Sequence, residues 1–235
     1  MPTANIEAAR VAIVRCVERA EGVGIVSGAA GLGKSLLCEV LARELQARYQ
    51  TVRLTCGRMN SRKALLQSIL FSLRVPFRSL DESELRLALL EQVNLLAPAS
   101  RGMLLVVDDA QAMHWRLFDE LRMLASLVRE GRPQFSLVLA GDTSLDERLT
   151  HARLTAFSQR IAARCYLAPL QRDETSSYIR AQLAASGVHS GAIFSETAVD
   201  AVYRVSEGTP RIINQVCDHA LLLASLGGLR RLEAA

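Results

Sequence analysis

Lysine is nearly missing from this chain. Lys34 and Lys63 are the only two among 28 basic side chains in 235 residues, so positive charge is carried by arginine, whose planar fork suits carboxylates and phosphates. Aromatic residues make up 5% of the chain, with a single tryptophan, while half of all residues are hydrophobic; this suits helices packed on an aliphatic sheet. The five cysteines include no C-x-x-C pair and the four histidines show no metal-ligand spacing, which argues for reduced thiols and against a zinc or disulfide scaffold. No N-terminal charged-then-apolar signal is present, and no apolar run approaches the roughly 18–20 residues a spanning helix needs. A cytoplasmic protein without direct membrane insertion is expected. Repeats and low-complexity segments are absent too. The length suits one α/β domain and a small helical one.

One stretch is rich in chemistry. Gly28-Ala29-Ala30-Gly31-Leu32-Gly33-Lys34-Ser35 fits G-x-x-x-x-G-K-[ST] without a mismatch. Between a strand and a helix, such a loop turns backbone N–H groups inward around phosphates, and its glycines permit the φ values the turn needs. The helix from Lys34 through Leu36 and beyond adds the positive end of its dipole. Lys34 reaches the β- and γ-phosphates as a mobile charge, and the Ser35 hydroxyl takes a place on Mg²⁺. Residues 28–36 are therefore expected to bind a nucleoside triphosphate.

The remaining pattern alternates strands and helices. A helix is expected over 5–20, strands over 24–28 and 51–55, a helix from an N-cap at Ser61 to about 73, and another from Asp81 or Ser79 to about 96. Pro98–Gly102 reads as a loop. The apolar runs 103–107 and 135–140 suit central parallel strands buried on both faces. A helix is expected over 114–130, an interrupted helix over 145–164, and a last strand at 165–167. Helices at 172–186, 195–206 and 210–226 follow without a strand. Residues 1–169 are thus expected to form a doubly wound α/β domain and 170–235 a helical lid. Asp108 ends a central strand, where it can hold Mg²⁺; Asp109 follows and can orient or deprotonate an attacking water.

The phosphate loop, Leu104–Gln111 (LLVVDDAQ), Ala140-Gly141-Asp142, Gln159-Arg160-Ile161 and Gly208–Asn214 (GTPRIIN) occur in an order that resembles AAA+ ATPases. More narrowly the chain is similar to the general secretion pathway A (ExeA-type) group, which is itself similar to transposition ATPases of the TniB, TnsC and MuB types. The resemblance implies a P-loop NTPase with a five-stranded parallel sheet, ATP and Mg²⁺ as cofactors, and ATP hydrolysis. It makes Asp108 the Walker B ligand, Asp109 the water-activating acid, Asp142 the sensor-1 position and Arg211 the sensor-2 arginine. Arg160 becomes the arginine finger, with Arg153 and Arg164 as competitors. A finger acting on a neighbour's nucleotide implies a homo-oligomeric ring or filament. Family members usually carry Glu at Asp109, a side chain about 1.5 Å longer, and a neutral polar group at Asp142; both departures imply slow turnover.

Acidic residues are missing between Glu44 and Asp81, where Arg48, Arg53, Arg58, Arg62, Lys63, Arg74 and Arg78 lie. In the resembling transposition ATPases this region meets double-stranded DNA, which makes Arg58, Arg62 and Lys63 candidate phosphate contacts; a solvated helix face with acids on neighbouring elements is the alternative. The functions implied are an ATP-dependent oligomer on DNA with a transposase as partner, a secretion-associated ATPase serving envelope machinery, or a nucleotide-gated binding module with negligible turnover.

Overall fold

The computed structural model describes residues 3–56, 59–96, 102–129, 131–187, 193–229 and 231–233. They group into two compact units: Ala8–Gly28 with Lys34–Tyr166, and Met1–Glu7 with Ala29–Gly33 and Leu167–Ala235.

The larger unit is a sheet between helices. The first helix, α1 (Ala4–Glu18), buries Ala9, Ile13, Cys16 and Val17 at the spacing of one helical face. Strand β1 (Val23–Gly28) is buried throughout. Ile13 crosses it at Gly24, where a Cβ would lie 2.8 Å from Ile13 Cδ1. Helix α2 (Lys34–Leu45) leads to β2 (Gln50–Thr55). Helix α3 (Arg62–Ser72) is N-capped by Ser61, which accepts the Ala64 N–H at 3.1 Å. Helix α4 (Glu82–Asn94) opens on a capping box: Asp81 accepts the Glu84 N–H at 2.9 Å, and Glu84 accepts the Asp81 N–H at 2.7 Å. That reciprocal pair selects Asp81 over Ser79 as the cap. Of the loop expected at Pro98–Gly102, only Gly102 lies within the described residues.

Strand β3 (Met103–Asp108) is followed by a 3₁₀ turn at Ala110–Ala112 and by α5 (Trp115–Leu124). The expected helix over 114–130 is too long. After Leu124 the chain forms two-residue strands β4 (Val128–Arg129) and β5 (Arg132–Pro133), paired antiparallel. Gly131, at φ +74°, makes the turn, and the helical spacing of Leu124, Leu127 and Val128 disguised it.

Strand β6 (Phe135–Gly141) is wholly buried and α6 (Thr143–Leu149) follows. The helix expected as far as residue 164 ends early, in a 3₁₀ turn at Ala152–Leu154 and the single turn α7 (Thr155–Ser158). Strand β7 (Ile161–Leu167) begins four residues before the stretch expected for it. Ala162 and Ala163 favour helix, but docking beside β1, begun by the Val23 N–H on the Arg160 carbonyl at 2.8 Å, overrides that preference.

The sheet order is β2-β3-β6-β1-β7, a parallel sheet as expected. Thr55 pairs with Asp108, Val107 with Leu139, and Ser27 with Gly141, so the carboxyl ends of β1, β2, β3 and β6 finish level. One face packs Ile25, Leu105, Val107, Leu137 and Leu139 against α3, α4 and α5 in a single core. Phe118 and Phe157 close that core edge to face, ring centroids 5.2 Å apart, a contact that adds about 1 kcal/mol beyond the area it buries.

In the smaller unit α8 (Arg172–Ala185), α9 (Glu196–Ser206) and α10 (Pro210–Leu226) pack around Leu170, Ile179, Val199, Val202, Ile213 and Cys217. Arg172 on α8 grips α9 through Asp200 at 2.7 Å and Glu196 at 2.5 Å. Gly208 turns into α10 at φ +72°; a Cβ there would fall 1.9 Å from the Leu170 carbonyl oxygen, so no other residue fits. Among the described residues no helix is long and apolar enough to cross a membrane.

Candidate active site

The larger unit gathers its functional side chains at the carboxyl edge of the sheet, where open α/β sheets take their ligands. Lys34 is the first residue of α2 and is only 9% exposed. An ammonium so buried needs a partner, and its Nζ donates to the Gly28 carbonyl at 2.8 Å, across the mouth of the loop. Gly31 and Gly33 have φ of +85° and +93°, the left-handed values that bring successive N–H groups to one side. Ser35 and Leu36 are exposed on the first turn of α2.

Asp108 ends β3 half-buried, two strands from β1 in the sheet. Its Oδ1 accepts the Asp109 N–H at 3.0 Å. Asp109 is exposed in the left-handed region, at φ 55° and ψ 37°, a turn that separates its carboxylate from the line of the strand. These carboxylates reach their surroundings. Burial first, then Asp108, pushes the Cys38 thiol up to about 12, against the opposing pull of Arg53 and Lys34. Cys56, whose N–H binds the Asp108 carbonyl at 2.9 Å, is likewise pushed up to about 12 by burial, Asp109 and Asp108. Both thiols are therefore inert neighbours of the site.

Asp142 begins α6 and caps it, its Oδ1 accepting the Ser144 N–H at 2.9 Å and the Ser144 hydroxyl. Gln111, which the sequence offered only as the end of LLVVDDAQ, bridges the two strand ends. Its Nε2 donates to Asp109 Oδ1 at 3.3 Å, and its Oε1 accepts the Asp142 N–H at 3.2 Å.

The three finger candidates differ in what they touch. Arg153 lies 5.6 Å from the centroid of the Trp115 ring, and Arg164 pairs with Asp146 at 3.4 Å. The exposed Arg160 guanidinium has no partner among the described residues. In the smaller unit the loop tip Ala29–Gly33 meets the start of α10. The Arg211 N–H reaches the Gly31 carbonyl at 3.3 Å, and a Cβ on Gly31 would come within 3.0 Å of Arg211 Cβ and Thr209 Cγ2. Pro210 takes the N1 position, where its missing N–H leaves no bond unmade, and the Thr209 side chain makes no capping bond.

Of the DNA candidates, Arg58 lies outside the described residues. Lys63 is exposed. Arg62 is half-buried on α3, its Nε 3.9 Å from Oε2 of the fully buried Glu120, which Arg86 already holds through two bonds of 3.0 and 2.9 Å.

A family model described as AAA domain matches residues 17–149. General secretion pathway protein A of Aeromonas hydrophila is 28% identical over 213 residues, which is 90% of this chain and 38% of that protein; the chain spans well under half of its relative's length. Among solved structures, Cdc6p from Pyrobaculum aerophilum aligns with a TM-score of 0.72 at 18% identity, covering 96% of this chain and 62% of that one. The RuvB Holliday junction branch migration motor of Thermotoga maritima aligns with a TM-score of 0.65 at 17% identity, covering 99% and 66%. At such identities these structures speak for the fold, a P-loop AAA+ architecture. With more than half its residues matched, this chain belongs to the AAA domain family.

Proposed function

We propose that this chain is a Mg²⁺-dependent ATPase whose nucleotide state switches a self-assembly. One observation carries the proposal: Lys34, Asp108 and Asp109 stand at the level carboxyl ends of β1 and β3 in one sheet, with the loop's left-handed glycines between β1 and α2. Residues Gly28–Leu36 hold the phosphates, and Ser35 and Asp108 offer oxygens to Mg²⁺. A hydroxyl and a carboxylate are an all-oxygen donor set, which suits a hard ion taking its other ligands from phosphate and water. When bound, Mg²⁺ neutralises charge on the phosphates.

Asp109 then holds and deprotonates the attacking water, while Lys34 stabilises charge at the phosphates. Arg211 on the first turn of α10 is the sensor arginine, and Asp142 marks the sensor position at the end of β6. Arg160, unpartnered among the described residues, is the finger offered to a neighbouring copy, which makes a ring or filament the active form. A cytoplasmic setting follows the sequence expectation.

Two partners are proposed for the assembly. Similarity to general secretion pathway protein A supports a component of secretion machinery. The exposed Lys63, Arg74 and Arg78 support double-stranded DNA, with a transposase as the further partner. The test is steady-state phosphate release and sedimentation of the purified protein, with and without double-stranded DNA, at two salt concentrations. ATPase activity with ATP-dependent assembly upholds the switch. Salt-sensitive stimulation by DNA selects DNA, its absence selects a protein partner, and no hydrolysis by the assembled protein contradicts the proposal.

A further inference from the structure

Gln111 lies on the 3₁₀ turn after β3, and both polar atoms of its side chain and its backbone carbonyl are hydrogen-bonded. Its backbone carbonyl accepts from Arg148 Nη1, whose Nη2 donates to the Met113 carbonyl. The turn is therefore clamped by a side chain of α6. Its amide then spans two strand ends, donating to Asp109 Oδ1 at 3.3 Å and accepting the Asp142 N–H at 3.2 Å. The two partners fix the amide's orientation: a flip would set its NH₂ against an N–H and its oxygen against a carboxylate, leaving both bonds unmade. Space at the strand end is cut to fit, since a Cβ on Gly141 would come within 2.8 Å of Gln111 Oε1.

Asp142 meanwhile has its Oδ1 engaged in capping α6. The strand-end position that would bear a neutral polar group thus carries a capping carboxylate. The neutral amide between β3 and β6 comes instead from Gln111.

We infer that Gln111 is the positioning residue of the proposed hydrolysis: it aims the Asp109 carboxylate and supplies the neutral amide between the ends of β3 and β6. The inference rests on the ATPase proposal. Asp109 is a short acid on a left-handed turn, exposed to water, and without the amide its carboxylate is free to rotate. With Nε2 on Oδ1, the other oxygen is the one left for the attacking water. Misplacement of a reacting group by about 1 Å costs on the order of 100-fold in rate, and that is the scale of the effect at stake.

Three variants of the full chain separate aiming from mere bracing. Gln111→Leu removes both bonds at nearly constant volume. Gln111→Glu keeps an acceptor for the Asp142 N–H but replaces the donor facing Asp109 with a repelling oxygen. Gly141→Ala sets a Cβ 2.8 Å from both Gln111 Oε1 and Leu145 Cδ2, which displaces the amide together with a core side chain. Each is measured for kcat, for equilibrium MgATP affinity by calorimetry, and for melting temperature. All three should lose kcat, by about 100-fold for Gln111→Leu, with MgATP affinity within roughly threefold of wild type. Gln111→Glu should also keep the wild-type melting temperature. Wild-type kcat in Gln111→Glu, or a loss of MgATP affinity matching the loss of kcat, overturns the positioning role while leaving the ATPase proposal intact. A wild-type protein that binds no MgATP, or binds it without turnover, overturns both.

Discussion

Two sets of cations are prominent in this sequence, and folding treats them differently. Lys34 belongs to a spaced motif. It ends almost buried, with its ammonium on the Gly28 carbonyl at the head of α2. The basic run between Glu44 and Asp81 is a matter of composition, and it is largely dispersed. Arg48 pairs with Glu18, Arg53 lies 3.9 Å from Glu39, and Arg62 lies 3.9 Å from Glu120. Each acid comes from a different helix. A motif specifies backbone conformation as well as charge, so its meaning survives folding. A charge run specifies nothing about the neighbours that tertiary structure brings, and of this one Lys63, Arg74 and Arg78 remain exposed without an ion pair among the described residues.

The sharpest way to test the motif side is Asp109→Asn, which keeps the shape of the site and removes its base. A fall in kcat of roughly 10²–10⁴-fold is expected, the usual worth of a positioned general base, with MgATP binding retained; phosphate-release kinetics beside a binding titration check it. Glu120→Ala probes the dispersed side. It leaves Arg86 only Glu82, at 3.4 Å, and removes the partner of Arg62; removal of one member of a buried ion pair costs about 3–5 kcal/mol. Since Arg86 and Arg62 are partly exposed, about 2–3 kcal/mol is expected, read as a lowered urea midpoint with unchanged m-value. Lys63→Glu should have the smallest effect. It leaves ATP binding untouched and, if DNA is the partner, weakens DNA binding severalfold while lowering the salt slope by about one. A large loss of nucleotide affinity in Lys63→Glu would break the distinction between the two sets.

The same contrast explains what could be read before folding. Strands β1 and β6 are buried from end to end and β3 as far as Val107, and their apolar runs announced them. Strand β7 alternates half-buried and exposed positions at the sheet's edge, and its alanines read as helix until β1 is there to pair with. The hairpin β4–β5 hid behind a helical spacing that Gly131 terminates by turning. Lys34, Ser35, Asp108 and Asp109 were legible because each sits at a fixed place in a motif. Gln111 was not. Its two partners are fixed only when the ends of β3 and β6 finish level, a fact of sheet register rather than of local sequence. Its faint signal was the two-residue step from Asp109, which a 3₁₀ turn can close.

The central claim is that the phosphate loop binds MgATP through Lys34. Calorimetric titration of ATP into wild type and Lys34→Ala, each with Mg²⁺ and with excess chelator, tests it most directly. Saturable binding by wild type, tighter with Mg²⁺ and weakened roughly 10- to 100-fold in Lys34→Ala, is the predicted result; a charge-assisted bond of about 1.5–3 kcal/mol sets that scale. Equal binding by the two proteins, or none by wild type, would contradict it.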